Sequence, residues 1–325
     1  MIELRKAGPG GVNWTQSNSL RDSYFTLCVT PTGRIITGSS YGIWYSDDNG
    51  INWTQSNVTS GYWQSLCTIS TGRIIAVNDS SGIWYSDDNG LNWTQSNKTD
   101  GGWYSLCVTS TGRIIAGSYN NGIWYSDDNG VNWTQSIKAG GSWYSLCVIG
   151  NRIITGGYEG IYYSDDNGES WTRSNKTDIT WRSLCVTNTG KIIAGSSSSN
   201  GIWYSDDNGV NWTQSNKTDR GWYSLCVTNT GKIIAGSSNN NGIWYSDDNG
   251  VNWTQSNKTD RDWYSLCVTS TGRIIAGTRG AYGINGIWYS DPEPDVYARE
   301  KYLDQNGAQE IITQFKAYCD AKVGA

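Results

Sequence analysis

The sequence has 325 residues with 24 basic and 29 acidic side chains, and this mild acidity argues against a nucleic-acid or anionic-membrane partner. It contains no histidine, which excludes His-based acid–base catalysis and His-ligated metals, and it has no apolar run long enough for a transmembrane helix. The N-terminus lacks the apolar core of a signal peptide, so we expect synthesis in the cytoplasm, followed either by retention there or by export to an extracellular destination without a cleaved signal. Abundant Gly, Trp and Tyr beside only 4 prolines indicate a β-rich protein.

An internal repeat of about forty residues dominates the chain. Tryptophans that follow Asn, or Ser in one copy, recur at steps of 39, 40, 40, 38, 41 and 41 residues: Trp14, Trp53, Trp93, Trp133, Trp171, Trp212 and Trp253. Cysteines recur at the same steps: Cys28, Cys67, Cys107, Cys147, Cys185, Cys226 and Cys267. One thiol per repeat in an apolar strand is typical of a small core residue rather than half of a disulfide bond, and the absence of Cys-x-x-Cys spacing argues against zinc.

Each repeat contains four short strands, and the unit from Trp103 to Ser136 illustrates them. Strand A is predicted over 103–109, with Trp, Ser, Cys and Thr on one face and Tyr, Leu and Val on the other. Strand B is predicted over 113–117, strand C over 123–126 and strand D over 132–136. Four strands per unit, repeated radially, predict the blades of a β-propeller.

The two ends of the repeat region predict how the propeller closes. Residues 12–17 form a strand D with no strand C before it, and residues 286–290 form a strand C with no strand D after it. We expect the two to pair in one blade, which removes the open edges of a linear array. The sequence therefore predicts an all-β fold in which residues 1–291 form a seven-bladed β-propeller of four-stranded blades.

The turn between strands C and D carries the motif Ser-x-Asp-x-Gly-x-x-Trp, as in "SDDNGVNW" at Ser126, Asp128, Gly130 and Trp133. This turn resembles the Asp-box (BNR) motif, which in that family is a structural hairpin between the third and fourth strands of a propeller blade. Asn-Gly suits a tight hairpin, and the spaced oxygens and late Glu of a calcium loop are missing. The five other full copies contain Ser46, Asp48, Gly50, Trp53, Ser86, Asp88, Gly90, Trp93, Ser164, Asp166, Gly168, Trp171, Ser205, Asp207, Gly209, Trp212, Ser246, Asp248, Gly250 and Trp253.

In such a propeller the D–A and B–C loops share one face, here called the loop face, and the A–B turns and Asp boxes share the other, the Asp-box face. Nearly all variation between repeats falls in the loops of the loop face, which a binding face predicts and which tolerant loops also explain. Strand A opens with an aromatic residue that either packs between blades or binds a ligand. These candidates are Trp63, Trp103, Trp143, Trp181, Trp222 and Trp263, with Tyr24 at the equivalent position.

A basic residue opens strand B in every repeat, near the Asp-box face. It is expected to be solvated or to pair within its hairpin. The set comprises Arg34, Arg73, Arg113, Arg152, Lys191, Lys232 and Arg273.

An enzyme interpretation depends on carboxylates at unique positions. Sialidases resemble this chain in their Asp boxes, but the Arg-Ile-Pro motif of that family is absent here and the arginines recur with the repeat. Between the N-terminal segment and the tail, Glu159 and Glu169 are the only glutamates, and they are predicted on opposite faces. The pattern favours a non-enzymatic module without cofactor or metal that binds glycans, lectin-like, or a cell-surface receptor through the loop face. The alternatives are a sialidase-like glycoside hydrolase and a structural scaffold without a small-molecule ligand.

Residues 292–325 differ from the repeats and are predicted as a linker followed by an amphipathic C-terminal helix. Asn306 and Gln309 resemble a capping pair. An apolar stripe follows at helical spacing, made of Ala308, Ile311, Ile312, Phe315, Tyr318, Cys319 and Val323. The helix either packs on the propeller or serves oligomerisation or docking. Its sequence is also similar to a segment of bacteriophage tail and host-recognition proteins, which implies a virion or prophage protein that recognises a cell-surface glycan.

Overall fold

A computed structural model describes residues 14–19, 22–137, 140–177, 179–197, 200–279 and 285–291. These residues form seven antiparallel sheets of four strands each, which confirms the predicted seven-bladed propeller. The strands are β1 (Trp14–Gln16), β2 (Tyr24–Val29), β3 (Ile35–Ser39), β4 (Gly42–Ser46), β5 (Thr54–Gln55), β6 (Trp63–Thr68), β7 (Ile74–Asn78), β8 (Gly82–Ser86), β9 (Thr94–Gln95), β10 (Trp103–Val108), β11 (Ile114–Ser118), β12 (Ile123–Ser126), β13 (Thr134–Gln135), β14 (Trp143–Ile149), β15 (Arg152–Gly157), β16 (Gly160–Ser164), β17 (Thr172–Arg173), β18 (Trp181–Val186), β19 (Ile192–Ser196), β20 (Ile202–Ser205), β21 (Thr213–Gln214), β22 (Trp222–Val227), β23 (Ile233–Ser237), β24 (Ile243–Ser246), β25 (Thr254–Gln255), β26 (Trp263–Val268), β27 (Ile274–Thr278) and β28 (Ile287–Ser290).

The propeller closes as the sequence predicts. Strand β1 pairs antiparallel with β28, and Trp14 lies opposite Ser290. Blades 1 to 6 are numbered in chain order, from β2-β3-β4-β5 in blade 1 to β22-β23-β24-β25 in blade 6. The sheet of blade 7 has the order β1-β28-β27-β26, with its outer strand supplied by the start of the repeat region. This pairing joins the first and last units of the repeat region and gives the terminal strand C a hydrogen-bonded neighbour.

Strand A departs from the predicted alternation because it contains a β-bulge. In blade 3, Trp103 pairs with Ser118 and Ser105 pairs with Gly117, so Tyr104 is the extra residue. The same register shift occurs after the first residue of strand A in each of the seven blades. The prediction that Trp103 shares a face with the cysteine was wrong, because the bulge moves Trp103 to the side of Leu106.

The hydrophobic core lies between adjacent blades rather than within one sheet. Ile114 and Ile115 are neighbours in strand β11, and both are fully buried. Because successive strand residues point to opposite faces, Ile114 packs towards blade 2 and Ile115 towards blade 4. Burying each such side chain contributes about 1.5–3 kcal/mol. Gly117 makes the close packing possible, since a Cβ there would lie 2.9 Å from the Cβ of Trp143 in blade 4.

The seven repeat cysteines are free thiols that are buried or half-buried in these inter-blade clusters, as predicted. Burial raises the pKa of Cys28 and of Cys147 to about 12, so both thiols stay protonated and unreactive near neutral pH. The predicted C-terminal helix lies in residues 292–325, outside the described residues. Within the ranges that the structure describes, no helix has the length and hydropathy needed to cross a membrane.

Candidate functional site

The Asp box is a closed hydrogen-bonded hairpin. In blade 3, Asp128 Oδ1 accepts hydrogen bonds from Ser126 Oγ at 2.9 Å and from the backbone N–H of Val131 and Asn132 at 3.2 and 2.8 Å. Asp128 Oδ2 accepts one from Asn132 Nδ2 at 2.7 Å. Partial burial opposes ionisation, but the hydrogen bonds from Asn132, Ser126 and Val131 outweigh it and lower the pKa of Asp128. The carboxylate of Asp128 therefore bonds to groups within its own turn.

The backbone of the hairpin explains the Asn-Gly pair and the tryptophan. Asn129 and Gly130 adopt φ values of 60° and 85°, the left-handed conformation that these residue types tolerate best. Trp133 Nε1 donates to the Gly130 carbonyl at 3.1 Å, and the indole is buried. No group of three or more potential metal-ligating side chains occurs among the described residues. The Asp box thus acts as a structural hairpin, as the sequence predicts.

The basic residue that opens strand B forms an ion pair with the first aspartate of the Asp-Asp pair in its own blade. Arg113 Nε and Nη2 donate to the two carboxylate oxygens of Asp127 at 2.7 and 2.9 Å. Arg113 Nη1 also donates to the Asn167 carbonyl of blade 4, and the guanidinium lies 4.1 Å from the ring centroid of Tyr125. The hairpin pairing proposed from the sequence is present, and in addition the arginine connects neighbouring blades.

The D–A and B–C loops lie together, as predicted for the loop face. Ile83 N donates to the carbonyl of Lys98 at 2.9 Å, which joins strand C of blade 2 to the following D–A loop. Tyr119 N in the B–C loop of blade 3 donates to the Gly102 carbonyl at 2.6 Å. These loops therefore surround the end of the channel at which every strand A begins.

The aromatic residues that open strand A are buried in the propeller core. Six tryptophans and one tyrosine at this position are only 0–1% exposed: Trp63, Trp103, Trp143, Trp181, Trp222, Trp263 and Tyr24. Trp103 packs edge-on against Trp124 at 6.3 Å and donates from Nε1 to the Asp100 carbonyl at 2.7 Å. Of the two roles left open by the sequence, packing accounts for this geometry, because these rings offer a ligand no accessible face.

The residue that follows each of these aromatics lines the mouth of the central channel instead. The bulge directs one such side chain from every blade into a cavity of about 330 Å³, here called the channel-mouth cavity. The seven residues are Phe25, Gln64, Tyr104, Tyr144, Arg182, Tyr223 and Tyr264, and Tyr62, Asp79 and Arg279 complete the wall. The sequence interpretation missed this ring. The sequence feature that could have revealed it is variation at the second residue of strand A, where Phe, Gln and Arg replace Tyr between residues that are nearly uniform in the repeats.

Two arginines in the cavity wall lie against aromatic rings. The guanidinium of Arg182 is 3.9 Å from the ring centroid of Tyr144, and that of Arg279 is 4.9 Å from the centroid of Tyr264. Tyr264 stacks on Tyr223 with centroids 4.3 Å apart. Arg182 Nε is buried without a hydrogen-bond partner. Cation–π contacts thus hold both guanidinium groups, and for Arg182 Nε no hydrogen-bond partner occurs among the described residues.

Two tyrosines of the cavity wall, Tyr104 and Tyr264, have raised pKa values. Burial, reinforced by the neighbouring Tyr223 hydroxyl, raises the pKa of Tyr264 to about 12. Burial and the charge of Asp79 likewise raise the pKa of Tyr104 above its ordinary value. Each phenol therefore remains both a hydrogen-bond donor and an acceptor beside an apolar ring.

Exposed tyrosines extend this surface over one side of the loop face. Tyr41, Tyr62, Tyr119 and Tyr158 are 58%, 52%, 47% and 69% exposed, and all lie in loops of blades 1 to 4 or just before strand A of blade 2. The two glutamates lie apart, as predicted: Glu159 is in a B–C loop, whereas Glu169 pairs with Arg113 at 3.2 Å on the Asp-box face.

Comparisons with known proteins agree with this architecture. The BNR/Asp-box repeat family model matches residues 44–55 and 162–173. No curated protein sequence matches the chain.

Similar solved structures share the fold at low sequence identity. The extracellular domain of a putative one-component system from B. thetaiotaomicron aligns with a TM-score of 0.69 and 13% identity over 88% of this chain, which spans 40% of that protein's length. Catalytically inactive virginiamycin B lyase from Staphylococcus aureus with quinupristin aligns with a TM-score of 0.70 and 11% identity over 86% of this chain and 98% of that one. YCF48 from Cyanidioschyzon merolae aligns with a TM-score of 0.66 and 13% identity over 86% of this chain and 98% of that one. The protein is a seven-bladed β-propeller that contains BNR/Asp-box repeats.

Proposed function

We propose that the protein is a non-enzymatic recognition module that binds glycans of a cell surface through the loop face. The observation that carries this proposal is the channel-mouth cavity of about 330 Å³, to which every blade contributes at least one side chain. Tyrosines, arginines, Gln64 and Asp79 combine apolar ring faces with hydrogen-bond donors and acceptors. Sugars present the same combination of apolar ring faces and hydroxyl groups, so the chemistry of the wall is complementary to them.

The exposed tyrosines support an extended ligand rather than a single small molecule. Tyr119 lies 6.2 Å from Tyr104 and 6.5 Å from Tyr144 between ring centroids, so this exposed tyrosine continues the aromatic surface of the cavity. A glycan chain that enters the cavity is therefore able to continue over this side of the loop face. One of the similar structures is named with a bound molecule, the lyase with quinupristin, and another is named as the extracellular domain of a putative one-component system.

A glycan array probed with the full chain at high density tests the proposal. We expect bound glycans, and we expect the double variant Tyr104→Ala/Tyr264→Ala to lose at least tenfold in affinity for them. The matched control is Val131→Ser, which changes an exposed side chain on the Asp-box face and is expected to bind like the parent. No bound glycan, or equal loss in the control, contradicts the proposal. Turnover of fluorogenic glycosides that is lost on Glu159→Gln would instead support a glycoside hydrolase.

A further inference from the structure

The arginines of the channel-mouth cavity differ from those of the Asp-box face in one respect. On the Asp-box face, Arg34, Arg113 and Arg152 each form an ion pair with an aspartate at 2.7 Å. Arg182 and Arg279 form no ion pair with any carboxylate of the described residues, and the guanidinium group of each lies over two aromatic rings. A guanidinium without a carboxylate, in a cavity wall, is a ready site for an oxyanion.

The two arginines flank the stacked tyrosine pair. Arg182 lies 5.8 Å from the ring centroid of Tyr223, and Arg279 lies 4.9 Å from that of Tyr264, on blades 5 and 7. Arg182 Nε is buried and has no hydrogen-bond partner among the described residues, so aromatic contacts rather than an ion pair hold this guanidinium in the cavity wall. Arg182 and Arg279, here called the Arg182–Arg279 arc, therefore make this side of the cavity cationic, and the stacked rings of Tyr223 and Tyr264 lie between them.

The opposite side of the cavity carries a negative charge. Asp79 lies in the B–C loop of blade 2, across the ring of blades from Arg182, and its carboxylate forms no ion pair with the described residues. Among the described residues that line the cavity, Arg182 and Arg279 carry positive charges and Asp79 carries a negative charge, none of the three forms an ion pair with another described residue, and tyrosines lie between them. A ligand that carries only a negative or only a positive charge pairs with the arginines or with Asp79, but not with both.

We propose that the cavity selects a zwitterionic sugar residue, with its oxyanion on the Arg182–Arg279 arc and its ammonium group facing Asp79. This inference rests on the proposed function and adds the charge class of the ligand. Neutral sugars satisfy the tyrosines but neither charged pole. Phosphate, sulfate and carboxylate share the oxyanion chemistry that the arc recognises.

Calorimetric titration of the full chain with four related sugars tests the charge class. The probes are glucose, glucosamine, glucose 6-phosphate and glucosamine 6-phosphate, which share one ring and differ in their charges. We expect glucosamine 6-phosphate to bind at least tenfold more tightly than either singly charged sugar, and glucose to bind most weakly. Glucosamine 6-sulfate is expected to bind like the phosphate if the oxyanion, and not phosphate itself, is recognised.

Two charge variants assign the poles. Asp79→Asn is expected to remove the preference for the amino group and to leave glucose 6-phosphate binding within twofold. Arg182→Gln/Arg279→Gln is expected to remove the preference for phosphate. Asp206→Asn and Arg173→Gln change the same charges at exposed positions outside the cavity, and we expect both to bind like the parent.

The outcomes distinguish this inference from the proposed function. Equal affinities for the probes, or equal effects of cavity and control variants, overturn the zwitterion assignment. Neutral glycans bound on the array with no effect of charge overturn it while leaving the loop face as a glycan site. If no glycan of any charge binds, both proposals fail.

Discussion

The two faces of the propeller use the same residue types in opposite ways. On the Asp-box face, Arg113 is bound by Asp127 and by a carbonyl of the next blade, and Asp128 is bound by its own turn. On the loop face, Arg182 and Asp79 have no ion-pair partner among the described residues. Arg113 and Asp128 are thus held by groups of the fold, whereas the charged side chains that line the channel-mouth cavity form no ion pair among the described residues, although the D–A loops around it contain ion pairs such as Lys98–Asp100 at 3.1 Å. The contrast indicates that repeated polar residues maintain the fold and that the residues departing from the repeat mark the site.

The largest expected effect is on stability, from truncating a strand-A tryptophan. Trp103→Ala removes a fully buried ring that packs against Trp124 and blade 2. We expect a loss of about 3–5 kcal/mol in the free energy of unfolding, measured by urea denaturation. Tyr158→Ala on the loop face is the control, because its ring is 69% exposed, and it should change stability by less than about 0.5 kcal/mol. Equal losses would show that the buried ring carries no special role in packing.

The second effect concerns the Asp box. Asp128→Ala removes the acceptor of four hydrogen bonds, which leaves the turn N–H groups of Val131 and Asn132 without their partner. We expect a loss of about 1–3 kcal/mol, because these bonds are made to a charged group. Unfolding by urea at neutral pH measures it, and glycan binding should be unchanged in the folded variant.

The pH dependence of this loss provides its control. The folded-state pKa of Asp128 is lowered, so its contribution is complete above the unfolded pKa of about 3.9 and is lost as pH falls through the folded value. Asp48, Asp88, Asp166, Asp207 and Asp248 show the same direction of shift. The difference in stability between the parent and Asp128→Ala should therefore shrink in acid. A difference that stayed constant below pH 4 would contradict the ionised role of this carboxylate.

The smallest effect separates arginine from lysine on the Asp-box face. Arg113→Lys keeps a charge near Asp127 but loses the paired donors and the bond to the Asn167 carbonyl of blade 4. We expect a loss of about 0.5–1 kcal/mol in unfolding free energy. Lys191, which contacts Asp206 at 3.2 Å, occupies the same position in blade 5. The reciprocal change Lys191→Arg should stabilise by a similar amount, and no gain would contradict the proposed inter-blade contact.

The sequence predicted the architecture because the same strand and turn patterns recur along the chain at regular spacing. The spacing of Trp133 and its equivalents located the blades, and the incomplete units at Trp14 and Ser290 predicted the closing pair that the structure confirms. The Asp-Asn-Gly turn predicted its own hairpin, because left-handed backbone and turn hydrogen bonds are local properties.

The site was harder to predict, because it depends on a change of register. Strict alternation placed Trp103 with Cys107, and one extra residue in strand A reverses this placement and turns Tyr104 into the channel. A bulge leaves no separate motif in a Tyr-Ser-Leu segment, so the tryptophans were the more visible ligand candidates. A comparison of the seven repeats at the second residue of strand A, where Arg182 and Gln64 replace tyrosine, would have indicated the side chains that line the channel-mouth cavity.

The central claim, that the loop face is the recognition face, is tested most directly by hydrogen–deuterium exchange of the full chain with and without a glycan bound on the array. We predict slower exchange at the start of strands β10, β18 and β26 and in the B–C loop containing Asp79, where the ligand would cover the channel-mouth cavity. The Asp-box turns, including Asn129 and Gly130, should exchange at unchanged rates. Protection confined to the Asp-box turns, with none around Tyr104, Arg182 or Tyr264, would contradict the account.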